Sequence, residues 1–276
     1  MQPYSVLMSV YAKENPEYMR LSLDSIFAQT LPADEVVLVC DGPLTPELDA
    51  VIEAFEARFP DRFRVARFAE NRGLGPALND GLALCRNEWI ARMDTDDFAP
   101  ADRCQRQMQA ISKDPALALV GGCVEEFEGD PSHVLSQKKM PLSHEEILHY
   151  AKKRNPFNHP TVMVRRSAVL AAGGYPALHL HEDYGLWVKI LQSGAKVCNL
   201  PDTLCQMRVD NGLYARRGGA GYLRVAAGFR MHLYRTGFTN LWQLCSSVGV
   251  LTMACLVPTG LRQFIYRKLL RKHSEN

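Results

Sequence analysis

The sequence lacks most of the signatures that would place it at once. Its eight cysteines, Cys40, Cys85, Cys104, Cys123, Cys198, Cys205, Cys245 and Cys255, include no C-x-x-C pair. That excludes a zinc ribbon and a thioredoxin-like dithiol. Most sit among apolar neighbours and read as reduced, buried thiols of a cytosolic protein. No charge sign dominates: 32 basic and 30 acidic side chains leave a formal net charge of +2, so there is no case for nucleic-acid binding. No G-x-G-x-x-G follows the first apolar run and there is no P-loop, which removes a dinucleotide-dependent dehydrogenase. Met1-Gln2-Pro3-Tyr4 has no basic n-region, so no signal peptide is expected. Repeats and low-complexity tracts are absent.

What remains is a chain of 276 residues, 47% hydrophobic and 22% charged. That suits one large α/β domain with room for a small appendage. Buried-strand runs alternate with helical stripes through the first hundred residues. Val6 to Val10, Val36 to Cys40, Phe63 to Phe68 and Trp89 to Met93 read as strands. Between them, Met19, Leu23, Ile26 and Phe27, then Leu48, Val51, Ile52 and Phe55, then Leu74, Leu78, Leu82 and Cys85, each mark one face of a helix. The order predicts a mainly parallel, Rossmann-like sheet with helices on both faces.

Ligands of such sheets bind beyond the carboxyl ends of the strands. The segments in that position are Tyr11 to Asn15, Asp41-Gly42, Asn71-Arg72-Gly73 and Asp94 to Asp97, and all are polar or glycine-rich. Further on, a helix to Lys113, a strand from Leu117 to Val124, an irregular polar stretch over residues 125–157, a strand from Pro160 to Arg165 and a helix from Tyr184 to Leu191 are expected.

Asp94-Thr95-Asp96-Asp97 puts three carboxylates in four residues directly after a hydrophobic strand. They repel one another unless cations neutralise them, and hard oxygen ligands suit Mg²⁺ or Mn²⁺. The plainer reading is a solvated acidic turn that caps the next helix. Glu182-Asp183 is a second carboxylate pair, set before an apolar helix, where a general base or an N-cap pair are the alternatives. Asp41-Gly42-Pro43 is also a good turn. His159 reads equally as a ligand-side residue or as a hydrogen-bonded structural one. Tyr184 and Trp187 offer an aromatic platform for a sugar or, for Trp187 above all, core packing.

Taken in order, Ser5 to Tyr11, Asp41-Gly42, Asn71 to Asn79, Arg92 to Asp97, Asn158 to Thr161, Gly173-Gly174-Tyr175 and Glu182 to Trp187 resemble the motifs of family 2 glycosyltransferases with a GT-A fold. The resemblance covers about residues 1–210 and is nearer to bacterial enzymes of capsule, exopolysaccharide and O-antigen assembly, including β-1,3-galactosyltransferases. It implies an inverting, metal-dependent hexosyltransferase that takes a UDP-sugar, galactose first, to a glycan acceptor, with a lipid-linked glycan among the candidates. By the same resemblance the backbone of Ser9, Val10 and Tyr11 lines the nucleoside pocket and Asp41 accepts from uracil N3. Asn71-Arg72 binds nucleotide or phosphates, Asp94 lies toward the ribose, Asp96 holds the metal, and Asp97 meets the donor sugar or supports the metal site. His159 touches metal, diphosphate or acceptor. Asp183 is the base and Glu182 orients it or binds acceptor.

Two rivals remain. A haloacid dehalogenase-like phosphotransferase also uses D-x-D, but after the first strand and followed by Thr or Val, where this chain has Phe98. A non-catalytic nucleotide-sugar-binding subunit would not need a base opposite the metal. Residues 211–276 differ from the rest. No charged residue occurs from Gly237 to Leu261, and Arg262, Arg267, Lys268, Arg271 and Lys272 follow. A membrane-surface or re-entrant segment and a helix pair packed on the domain are equally open, with a spanning helix behind both. The tail would place the protein at the cytoplasmic face of the inner membrane. Arg208, Arg216 and Arg217 form a basic segment suited to a diphosphate or to solvent.

Overall fold

The computed structural model describes residues 2–209 and 219–256. Strands β1 (Tyr4–Val10), β2 (Glu35–Cys40), β3 (Phe63–Arg67) and β4 (Trp89–Arg92) alternate with helices α1 (Pro16–Phe27), α2 (Pro46–Arg58) and α3 (Leu74–Leu84). Asn15 starts α1 by accepting from the amides of Glu17 and Tyr18, with Pro16 at the first helical position. Thr45 and Pro46 repeat that device for α2.

The chain continues through α4 (Arg103–Lys113), β5 (Leu117–Phe127), β6 (Val134–Lys138), α5 (His144–Tyr150), a 3₁₀ turn at His159–Thr161, β7 (Met163–Arg165), α6 (Arg166–Ala171), α7 (Glu182–Gln192) and β8 (Lys196–Arg208). All eight strands join one sheet in the order β3-β2-β1-β4-β7-β5-β6, with β8 paired to β5. The β3-β2-β1-β4 half is parallel, as expected. β7 then enters antiparallel between β4 and β5.

Both faces of the sheet are covered, which is why the centres of β1 and β2 are apolar runs. Val6, Met8, Leu38, Ala91 and Met93 pack toward α1, α2 and α4; Leu7, Val37, Val39 and Ile90 pack toward α3 and α7.

Residues 125–157 are not irregular: they contain the end of β5, then β6 and α5. Helix α5 buries only Ile147, so it shows no apolar stripe. The expected strand from Pro160 is shortened to Met163–Arg165, because Thr161 turns back to bond Asn158 and Gly122. β8 has no counterpart in the reading of the sequence.

Two helices follow, α8 (Gly219–Arg235) and α9 (Leu241–Leu256). Phe229 and Leu233 of α8 join the core on the α7 side, and the Phe229 ring lies 4.4 Å from His181 and 4.8 Å from Tyr184. α9 is less enclosed: Leu241, Val250 and Met253 are exposed and Trp242 is 78% exposed. Among the described residues no helix is long and apolar enough to cross a membrane. Arg216, Arg217 and the basic residues from Arg262 on lie outside the described residues.

Candidate active site

The turn after β2 and the loop before α3 form one interlocked unit. Asp41 is 4% exposed, and its two carboxylate oxygens each accept a backbone amide at 2.9 Å, from Arg72 and Gly73. The Asn71 side chain returns a hydrogen bond to the Asp41 carbonyl at 3.1 Å. Gly42 has φ +91°, and a Cβ there would stand 2.8 Å from the Asn71 nitrogen, so only glycine fits this approach. One lone pair on each Asp41 oxygen stays available for a ligand N–H.

Asn79, one turn into α3, clamps the second glycine motif. Its side chain accepts from the Tyr175 amide at 2.8 Å and donates to the Tyr175 carbonyl at 3.0 Å. Gly174 has φ +73°, and a Cβ on it would come within 2.5 Å of the Asn79 oxygen. Much of the Asn71–Asn79 and Gly173–Tyr175 pattern therefore works as bracing between loops.

The loop after β4 is tied down on two sides. Ser22 donates to the Asp94 carbonyl at 2.8 Å, and Thr95 donates to the Ser9 carbonyl at 3.3 Å. The Val10 carbonyl takes the Asp41 amide, while Tyr11 is exposed at the rim. The structure thus gathers Ser9, Val10, Tyr11, Asp41 and Asp94 around the ends of β1, β2 and β4.

Asp94, Asp96 and Asp97 bring one carboxylate oxygen each to within 4.8 Å of one another. Burial, then the charge of Asp94, pushes Asp96 up to about 6. Asp97 is 3% exposed, and burial with its two neighbours raises it well above the usual range. One Asp97 oxygen accepts the Arg208 amide at 3.0 Å, and the Cys205 thiol lies 3.6 Å from the other. Asp97 thus anchors β8 as well as belonging to the cluster. Glu14, which sequence reasoning missed, adds a fourth carboxylate. Burial and the charges of Asp96 and Asp94 push it up to about 7. Hard oxygen donors at this spacing, short of positive charge, fit Mg²⁺ or Mn²⁺.

Across the site, Asp183 opens α7. Its carboxylate accepts from the Tyr184 amide and from the Asn155 side chain, both at 2.6 Å. Burial raises its pKa, while these bonds and the charge of Arg92 pull the other way. Glu182 is likewise raised by burial and by Asp183. His159 bonds the Tyr175 hydroxyl at 3.0 Å. Burial and Arg92 hold it well below the usual imidazole range. Trp187 is fully buried against Phe157, His159 and Tyr175, which makes it core rather than platform.

The Arg72 guanidinium pairs with Asp80 and lies 4.7 Å from the Phe68 ring. Arg208 reaches the acidic loop, with Nε 3.4 Å from the Asp96 carbonyl and its guanidinium over the Tyr18 ring. Arg92, part of the Arg92 to Asp97 motif but given no role from the sequence, pairs with Asp94 from a side chain only 3% exposed.

The model of glycosyl transferase family 2 matches residues 5–174. The chain belongs to glycosyltransferase family 2. This glycosyltransferase is 37% identical over 270 residues to the amylovoran biosynthesis glycosyltransferase AmsE of Erwinia amylovora, across 96% of this chain and 98% of that one. It is 34% identical over 269 residues to the UDP-Gal:alpha-D-GlcNAc-diphosphoundecaprenol beta-1,3-galactosyltransferase of Escherichia coli, across 98% and 97% of the two chains. Among solved structures, mannosyltransferase PcManGT from Pyrobaculum calidifontis, in complex with GDP-Man and Mn²⁺, superposes with a TM-score of 0.65 at 19% identity. That match covers 97% of this chain and 80% of the other. The glycosyltransferase thus has the GT-A fold.

Proposed function

We propose that this glycosyltransferase moves a hexose, galactose in the first instance, from a UDP-sugar to a hydroxyl of a lipid-linked glycan in cell-surface polysaccharide assembly. The observation that carries the reading is the pairing of two carboxylate groups at one end of the sheet: Asp94, Asp96 and Asp97 after β4, and Asp183 at the start of α7. The E. coli relative, named for a UDP-Gal donor and a diphosphoundecaprenol acceptor, supports the donor and acceptor.

Asp96, with Asp94 and Asp97 beside it, would hold a divalent cation that neutralises the donor diphosphate as it departs. Ser9, Val10, Tyr11 and the free lone pairs of Asp41 receive the nucleoside. Asp183, held by Asn155 and the Tyr184 amide, takes the proton of the attacking hydroxyl. One base opposite the leaving group gives a single displacement, so an α-linked donor yields a β-linkage.

The test is transfer from labelled UDP-galactose to a synthetic GlcNAc-diphosphate lipid with Mn²⁺, read by chromatography and NMR of the linkage. A β-galactoside is expected. No consumption of UDP-galactose, UDP-glucose, UDP-GlcNAc or UDP-GalNAc overturns the reading.

Residues 1–210 form the transferase domain in this reading, and residues 211–276 bring it to the cytoplasmic face of the inner membrane. The exposed Leu241, Trp242, Val250 and Met253 of α9 support this, as do the basic residues that follow in the sequence. In flotation with vesicles containing phosphatidylglycerol, Trp242→Glu is expected to bind roughly tenfold more weakly, from lost apolar burial. Equal binding of the variant would remove α9 from the contact.

A further inference from the structure

Arg92 ends β4 on the same face as Ile90, since strand side chains alternate, and that face packs against α3 and α7. It belongs to an interior strand with β1 on one side and β7 on the other. Its Nη2 donates to Asp94. The remaining donors on Nε and Nη1 are buried and have no hydrogen-bond partner.

The nearest polar groups bond elsewhere: the Tyr175 hydroxyl to His159, Asp183 to Asn155 and the Tyr184 amide, and neither Nε nor Nη1 of Arg92 reaches an acceptor of the protein. Buried donors left unpaired are costly and rare. The charge of Arg92 is felt by Asp96 and Asp97 in the acidic loop and by Glu182 and Asp183 at the head of α7.

We propose that Arg92 reads the transferred sugar: its free Nε and Nη1 donate to hydroxyl oxygens of the pyranose, while Asp94 holds the guanidinium in place. The inference rests on the UDP-sugar reading above. A neutral hydroxyl is the favoured acceptor over a phosphate because Asp94 already balances the guanidinium charge. The fork of two donors suits adjacent oxygens on one ring, which a point charge such as lysine does not reproduce. Sugar selection would thus come from the floor of the site, two residues before the first carboxylate of the acidic loop.

The experiment compares UDP with UDP-galactose and its monodeoxy analogues, in Mn²⁺, by calorimetric titration on the full chain. The proteins are wild type, Arg92→Lys and Arg92→Gln, each checked for cooperative unfolding. In the wild type, removal of one hydroxyl is expected to weaken binding roughly ten- to hundredfold, as for a lost hydrogen bond to a charged group. In either variant that penalty disappears, while affinity for UDP stays within about threefold, since a uniform loss would mean damage rather than lost sugar contacts. Deoxy penalties retained in a folded variant overturn the assignment, as does an equal fall for UDP and UDP-galactose. So does a wild type for which no single hydroxyl matters, a result that needs no folded variant. A wild type that binds no uridine nucleotide defeats the donor reading itself, and is distinguishable because it appears before any substitution is made.

Discussion

Asp183→Asn is expected to lower the transfer rate by roughly 10²–10⁴-fold while donor affinity stays within about threefold, the signature of losing a proton acceptor rather than a binding contact. The substitution keeps the size of the side chain and its capacity to accept from the Tyr184 amide, so α7 keeps its first turn. The measurement is single-turnover transfer beside titration of UDP-sugar. A rate within tenfold of wild type would remove Asp183 as the base. The pH profile gives a second reading of the same group. Burial holds its carboxyl above the ordinary aspartate range, and only the ionised form accepts a proton. The rate is therefore expected to fall on the acid side at a higher pH than a solvent-exposed aspartate would give.

Asp96→Ala is expected to abolish metal-dependent donor binding, weakening UDP-sugar affinity in Mn²⁺ by about 10²-fold or more, because a cation that loses a carboxylate ligand no longer bridges protein and diphosphate. Unchanged nucleotide affinity with Mn²⁺ present would sink the metal assignment. Proton linkage fixes the sign of the pH effect. Asp96 at about 6 and Glu14 at about 7 are raised above their unfolded values, so the metal-free site takes up protons as the pH falls through that window. A cation must displace them. Mn²⁺ affinity is expected to decline below pH 7 and steeply below pH 6, up to about tenfold per pH unit for each proton displaced. An affinity constant from pH 8 to pH 5 would contradict it. These raised carboxylates also cost the folded state stability as the pH rises from the ordinary carboxylate range to about 7, and bound cation restores it. A chelator should then lower the Tm more at pH 8 than at pH 5.5.

The parallel half of the sheet was readable because strands buried on both faces are mostly apolar, and the centres of β1, β2 and β4 are. The acidic loop and the Glu182-Asp183 pair were readable for a related reason: polar residues placed directly beside such elements stand out. β8 escaped because Pro201 interrupts it and its burial alternates along its length, so neither a continuous run nor a helical stripe emerges. α5 offers one buried side chain, but its capping box, Ser143 with Glu146, was written in the sequence as S-x-x-E and was the signal available. Arg92 and Glu14 depend on pairing rather than pattern. A lone arginine in a four-residue strand reads as an edge charge until β7 is known to lie beside it. Glu14 approaches the acidic loop only because β1 and β4, far apart in sequence, are neighbours in the sheet. Asp41 and Asn79 show the converse, since residues picked out by motif prove to brace backbone.

The ring of Phe229 rests on His181 and Tyr184, the two residues that flank the carboxylate pair at the head of α7. Arg230 adds a hydrogen bond to the Tyr184 hydroxyl at 3.2 Å. The carboxy-terminal helices are therefore not an interchangeable module bolted onto a finished enzyme. A lineage that exchanged them would have to repack the head of α7, beside the Glu182-Asp183 pair, in the same step. Divergence of the carboxy-terminal helices should accordingly be written in matched changes on α7 and α8 together.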